Sequence, residues 1–154
     1  MITAHLPAGY ILGQRLDRPE RWVFAAALLG AVFPGFDFLF YVFVDHGRIH
    51  HHRYWVHIPF FWAILGAVAL PLVWRTGARW PALAFLAAVF LHLLLDTLVG
   101  DIMWGAPVST RLMSFFDVPP TYDFWLWSFI FHWSFMVEIA IWLAALLLWR
   151  RAGT

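Results

Sequence analysis

A few polar residues interrupt otherwise apolar stretches of this sequence, and their types are those of a metal site. His92 and Asp96 stand four residues apart with only leucine between them. On a helix that spacing puts both side chains on one face, so an imidazole and a carboxylate can meet one ion. His52 and His57 form a second pair at the junction of a loop and an apolar run, and Asp37 adds a carboxylate. Imidazole and carboxylate together suit Zn²⁺, Mn²⁺ or Fe²⁺. A divalent cation held by Asp37, His57, His92 and Asp96 would lower the pKa of a water enough to make a nucleophile near neutral pH. His5 or His52 would complete the shell or act as general base, and Arg53 would steady an anionic substrate group.

The elements that must position these residues are long and apolar. Four runs, 22–44, 54–74, 80–99 and 125–149, each have the length of about 20 helical residues needed to cross a hydrocarbon core. Tryptophans mark several of their ends, as interfacial aromatic belts do. Pro34, Pro59 and Pro71 fall inside or near the ends of the runs, where membrane helices tolerate breaks. The stretch 2–16 is too short to span and has no basic residue ahead of it, so it reads as a re-entrant or interfacial helix rather than a signal peptide. The segment 100–124, rich in Gly, Pro, Ser and Asp, reads as a cap over one end. The expected fold is an all-α integral membrane protein: one domain over 1–154, with four transmembrane helices plus the short N-terminal helix.

Orientation follows from arginine. Arg15, Arg18, Arg21, Arg75, Arg79, Arg150 and Arg151 fall on one side of such a bundle, and Arg48, Arg53 and Arg111 on the other. The richer side is expected to be cytoplasmic. This predicts a multi-pass inner-membrane protein with both ends of the bundle inside and the site toward the outer face. Counting about 1.5 Å per residue, Asp37, His57, His92, Asp96 and His132 share one layer near that face, and His5 rises toward it. Ionisable groups at such depth are functional candidates.

Each has a structural reading as well. His132 fits an interhelical hydrogen bond equally well. His46, His50 and His51 read as a solvated loop, and Asp117 and Asp123 as turn residues beside Pro119 and Pro120. Glu138 lies deep in the fourth run without an evident partner in the sequence.

Composition narrows the field. Hydrophobic residues make up 63% of the 154-residue chain and charged ones 12%, about half the charged share of a soluble domain. Aromatics reach 20%, more apolar surface than a soluble fold of this size can bury. There is no cysteine, which excludes thiolate ligands and thiol nucleophiles. A formal charge of +1 gives no case for nucleic-acid binding. The expected partners are membrane lipids and a small-molecule or lipid substrate.

In order along the chain come Thr3-Ala-His5-Leu, Phe33-Pro-Gly-Phe-Asp37, His52-Arg53-Tyr-Trp-Val-His57, His92-Leu-Leu-Leu-Asp96, Gly100 and Trp104-Gly-Ala-Pro107. This series resembles the bacterial inner-membrane metal-dependent hydrolase family, described as LexA-binding, membrane-associated hydrolases, over about the first two-thirds of the chain. The resemblance implies a site built from His5, Asp37, His52, His57, His92 and Asp96. It departs at Gly35, which stands where the family's Pro-Asp-x-Asp element has its first Asp. The leading expectation is therefore a membrane-embedded, metal-dependent hydrolase of an ester or phosphoester, with a lipid-linked substrate in view. The alternatives are a haem-binding electron carrier using His57, His92 or His132 as axial ligands, and a non-catalytic transporter subunit or scaffold with a degenerate metal site.

Overall fold

The computed structural model describes residues 1–18 and 20–152. Its helices are α1 (His5–Arg15), α2 (Arg21–Val32), α3 (Asp37–Phe43), α4 (Pro59–Val73), α5 (Arg79–Thr97), α6 (Trp125–Ile130) and α7 (Phe135–Ala152). Single 3-10 turns at Pro34–Phe36, His51–Arg53 and Trp55–His57 link them. Among the described residues there is no strand, only one antiparallel bridge between Ile102 and Met113.

Small side chains set the packing. α5 lies along α2 in the most extensive helix pair, and α1 packs on α2 and, less extensively, on α5. Ala27 and Ala31 on α2 and Ala84 and Ala88 on α5 are all buried. A Cβ placed on Gly30 would lie 2.3 Å from the Phe85 carbonyl oxygen, and one on Gly9 would lie 2.4 Å from the Ala31 Cβ. The backbones therefore touch where these residues have no side chain, the close approach typical of apolar helices that associate through dispersion. Toward the other end of α5 a larger core forms from Trp62, Val89, Leu93 and Ile102, with Phe33, Phe85 and Trp104 against it.

Two amides of the segment after α5 bond to carbonyls at the end of that helix. The last carbonyls of a helix have no intrahelical donor. Here Phe115 N–H donates to the Thr97 carbonyl, and Phe116 N–H to the Leu98 carbonyl just beyond the helix. The Trp104 indole donates to Thr97 Oγ1, which donates in turn to the Leu93 carbonyl.

The four continuous spans expected from hydropathy are not present. Among the described residues only α5 is by itself long and apolar enough to cross a membrane; α2 with the Pro34–Phe43 stretch would make a second, bent by 45°. The 22–44 run breaks at Pro34, which has no N–H to continue the ladder and starts a 3-10 turn. In the 54–74 run a 3-10 turn precedes Pro59, so α4 has only 15 residues, about 22 Å of rise against a core of about 30 Å. The 125–149 run splits into the six-residue α6 and into α7, which carries Glu138, Arg150 and Arg151. Hydropathy counts apolar residues and does not register where the helix stops. The cytoplasmic placement of both ends and the outer-face site presupposed four alternating spans, and they lose their basis with them. The short N-terminal helix is present as α1.

α7 holds the N terminus. The fully buried Glu138 accepts from Ile2 N–H and Thr3 N–H, both at 2.7 Å, and from the Thr3 hydroxyl at 2.6 Å. The Trp142 indole donates to Thr3 Oγ1.

Two predictions follow from this packing. Gly30→Ala forces α2 off the α5 backbone and should cost about 1–3 kcal/mol, read as a lowered Tm of the detergent-purified protein. An unchanged Tm would mean that the helix pair yields freely. Glu138→Ala removes hydrogen bonds to a charged acceptor, worth about 1.5–3 kcal/mol each. Amide exchange of the N-terminal peptide should then quicken at least tenfold, while α5 keeps its protection.

Candidate metal centre

Five segments bring the sequence-selected residues to one place. α5 supplies His92 and Asp96 on one face. Asp37 is the first residue of α3, just past the break at Pro34. The two short 3-10 turns carry His52 and His57. His5 opens α1, and the N terminus lies beside it. All six side chains are buried, Asp96 to 2% exposure.

Asp96 is the hub. Its Oδ2 lies 3.0 Å from His92 Nε2, 3.4 Å from His57 Nε2 and 3.7 Å from His52 Nε2. Its Oδ1 takes the Met1 amino group at 2.5 Å and His5 Nε2 at 3.1 Å. His57 Nε2 and His92 Nε2 are 3.2 Å apart. Two donor groups, His5–His92–Asp96 and His52–His57–Asp96, thus share one carboxylate.

The outward nitrogens decide what the inward ones can do. His92 Nδ1 donates to the Ala31 carbonyl at 2.7 Å. His52 Nδ1 donates to the Gly100 carbonyl, and His57 Nδ1 to Asp37 Oδ2 at 2.5 Å. A proton on each Nδ1 leaves each neutral ring with a lone pair on Nε2. All three Nε2 atoms therefore lie around one carboxylate oxygen, Asp96 Oδ2. At 3.2 Å the His57 and His92 Nε2 atoms need either a proton on one of them or a cation between them. Ligand atoms on a tetrahedral zinc, with bonds of roughly 2.0–2.1 Å, stand about 3.3 Å apart. The four separations here, 3.0–3.7 Å, match that spacing. The outward hydrogen bonds to a carboxylate and to carbonyls are those that orient metal-ligating histidines.

Electrostatics separate the two turn histidines: His52 is kept neutral, whereas a cation at His57 would take the place of a proton. Burial drives the His52 pKa down to about 3, against the pull of Asp96, so the ring is neutral and its Nε2 is free to ligate. His57 is held above the ordinary histidine value: burial opposes its charge, and hydrogen bonds to Asp37 and Asp96 outweigh burial. The carboxylates draw positive charge toward the position of His57.

His5 is arranged differently. Its Nε2 faces two acceptors at 3.1 Å, the Met1 carbonyl and Asp96 Oδ1, and therefore carries the proton. Its Nδ1 is buried without a hydrogen-bond partner. The ring stacks on His92 with centroids 3.7 Å apart.

Other selected residues lie elsewhere. Arg53 is exposed on the His52 turn and has no ion-pair partner among the described residues. His132 bonds to Ser134 Oγ, two residues on. Glu138 serves the N terminus. His51, read from the sequence as a solvated loop residue, places Nδ1 3.7 Å from Asp37 Oδ1, and both atoms are buried without a hydrogen bond. Its adjacency to His52 was the one signal in the sequence. Gly35 sits next to His92, where a Cβ would meet His92 Cε1 at 3.7 Å, ordinary contact. The position has room for a side chain beside the cluster.

Comparison with curated proteins and with solved structures gives no match. The model of the YdjM inner membrane protein family matches residues 2–153. That match takes in the segments that build the cluster as well as α7, whose Glu138 holds the N terminus. The chain belongs to the YdjM inner membrane protein family.

Proposed function

We propose that this protein is a membrane-associated, metal-dependent hydrolase of an ester or phosphoester. One observation carries the reading. His57 Nε2, His92 Nε2 and Asp96 Oδ2 lie within 3.4 Å of one another and His52 Nε2 lies 3.7 Å from the same Asp96 oxygen, while the Nδ1 of each ring is bonded to an outward acceptor.

His52, His57, His92 and Asp96 would hold the cation, with Asp37 orienting His57. A divalent ion there supplies Lewis acidity, lowering the pKa of a water and drawing charge from a carbonyl or phosphoryl oxygen. His5 is suited to proton transfer. Asp96 Oδ1 and the Met1 carbonyl hold its Nε2–H, leaving Nδ1 to accept a proton from the attacking water and return it to the leaving oxygen. Arg53, exposed on the His52 turn, is available to an anionic substrate group.

Metal analysis of detergent-purified protein tests this. Wild type should carry stoichiometric divalent metal, and the His92→Ala/Asp96→Ala double variant should carry none. Metal-free wild type, or a double variant that keeps its metal, would sink the proposal. Asp37→Asn should fold and bind the same metal about 10–100-fold more weakly, the usual effect of losing a ligand's orienting partner. An unchanged affinity would remove Asp37 from that role.

A further inference from the structure

The cluster is buried, and one cavity reaches it. This cavity, of about 390 Å³, has His5 and His92 at one end. Apart from Thr3, its remaining wall is apolar, with Ile2, Leu6, Val32, Phe36, Phe38 and Leu39. Gly35 also lines it, and the missing side chain leaves the space next to His92 open. The size falls within the range of pockets that take small organic ligands.

The apolar surface continues past this cavity. Leu6 also borders a second, almost wholly apolar space of about 580 Å³ among α1, α2 and α7. Tyr10, Leu28, Trp142, Leu143 and Trp149 wall it. Leu28 and Val32 are one helical turn apart on α2, so the two spaces follow each other along the same helix. The rim residues Leu6, Phe36 and Leu39 are 48%, 54% and 51% exposed. In an inner-membrane family such a rim suits hydrocarbon better than water.

From this continuity we infer that the substrate is an amphiphile. Its ester or phosphoester group reaches His5 and His92 through the Gly35 cavity, and its alkyl or acyl chain lies past Leu6 in the groove between α1 and α7. The inference rests on the hydrolase reading above and adds the substrate class. A chain moving from bilayer to groove gains little hydrophobic free energy, because both surroundings are apolar. The groove acts by aligning the scissile group with the cluster, which is where binding energy of a remote group raises turnover.

The test uses metal-loaded protein in lipid nanodiscs and 4-nitrophenyl esters and alkyl 4-nitrophenyl phosphodiesters, each series running from two-carbon to dodecyl-length chains. Partition into the disc acts on wild type and variants alike, so the groove is read from the difference in chain-length dependence. Leu6→Trp fills the point where the two spaces meet, and it should flatten the rise in kcat/KM with chain length by at least about tenfold at dodecyl length. Leu143→Trp, in the wall of the second space, should do the same and stands in if Leu6→Trp does not fold. A dodecyl phosphonate with a diazirine at the chain end gives a readout apart from turnover. It should label the groove between α1 and α7, and excess dodecyl phosphonate should suppress that labelling. Equal slopes in wild type and both variants, or labelling that the competitor does not suppress, overturn the amphiphile inference and leave the hydrolase intact. Absence of metal-dependent turnover on every member of both series overturns both.

Discussion

Much of this structure is arranged around the burial of one carboxylate. Asp96 has almost no contact with solvent, and an ionised group in such a place costs several kcal/mol unless it is paired and hydrogen-bonded. The partners come from across the chain: the N terminus, His5 on α1, His52 and His57 from the loop before α4, and His92 one turn away on its own helix. The first residues fold back because Asp96 and Glu138 hold them at both sides. The loop before α4 tucks inward because His52 and His57 have their partners there.

The break that ends α2 belongs to the same arrangement. Because the helix stops at Val32, Ala31 lies in its last turn, where carbonyls are left without intrahelical donors. The Ala31 carbonyl instead accepts the His92 Nδ1 proton. That contact requires α2 and α5 to lie close, which the glycine and alanine contacts around Gly30 and Ala88 permit. Just beyond the break Asp37 starts α3 and meets His57. An uninterrupted apolar helix through 22–44 would leave Ala31 bonded within its own ladder. The feature that shortens the expected span is thus the one that fixes two of the site's histidines.

Legibility in the sequence divides along this line. His92 and Asp96 were readable because a four-residue spacing fixes a shared face whatever surrounds it. His52 and His57 were readable as a pair, but their convergence depends on two 3-10 turns that no periodicity announces. The Ala31 and Gly100 carbonyls that set the tautomers are backbone groups and leave no trace in residue type. Glu138 looked partnerless because its partners are the amides of Ile2 and Thr3, more than a hundred residues away. Four spans were read where, among the described residues, one continuous helix qualifies, because apolar composition persists through Pro34 and through 131–134 while the helix does not.

Gly35 bears on the charge of the site as well as on its shape. On the proposed reading, a divalent cation held by three neutral imidazoles and one carboxylate leaves the first shell with a net charge of +1. Asp37 is set behind His57 and compensates from a distance, while the Met1 amino group adds positive charge on Asp96. An aspartate at position 35, as in the pattern the sequence resembles, would stand beside His92 and cancel that excess. With glycine there, the centre stays positive and the cavity wall next to it stays open. Both consequences favour a substrate whose reacting group is anionic, since the positive shell attracts it and no carboxylate at position 35 opposes its approach. Within the proposed chemistry, that favours the phosphoester over the neutral ester.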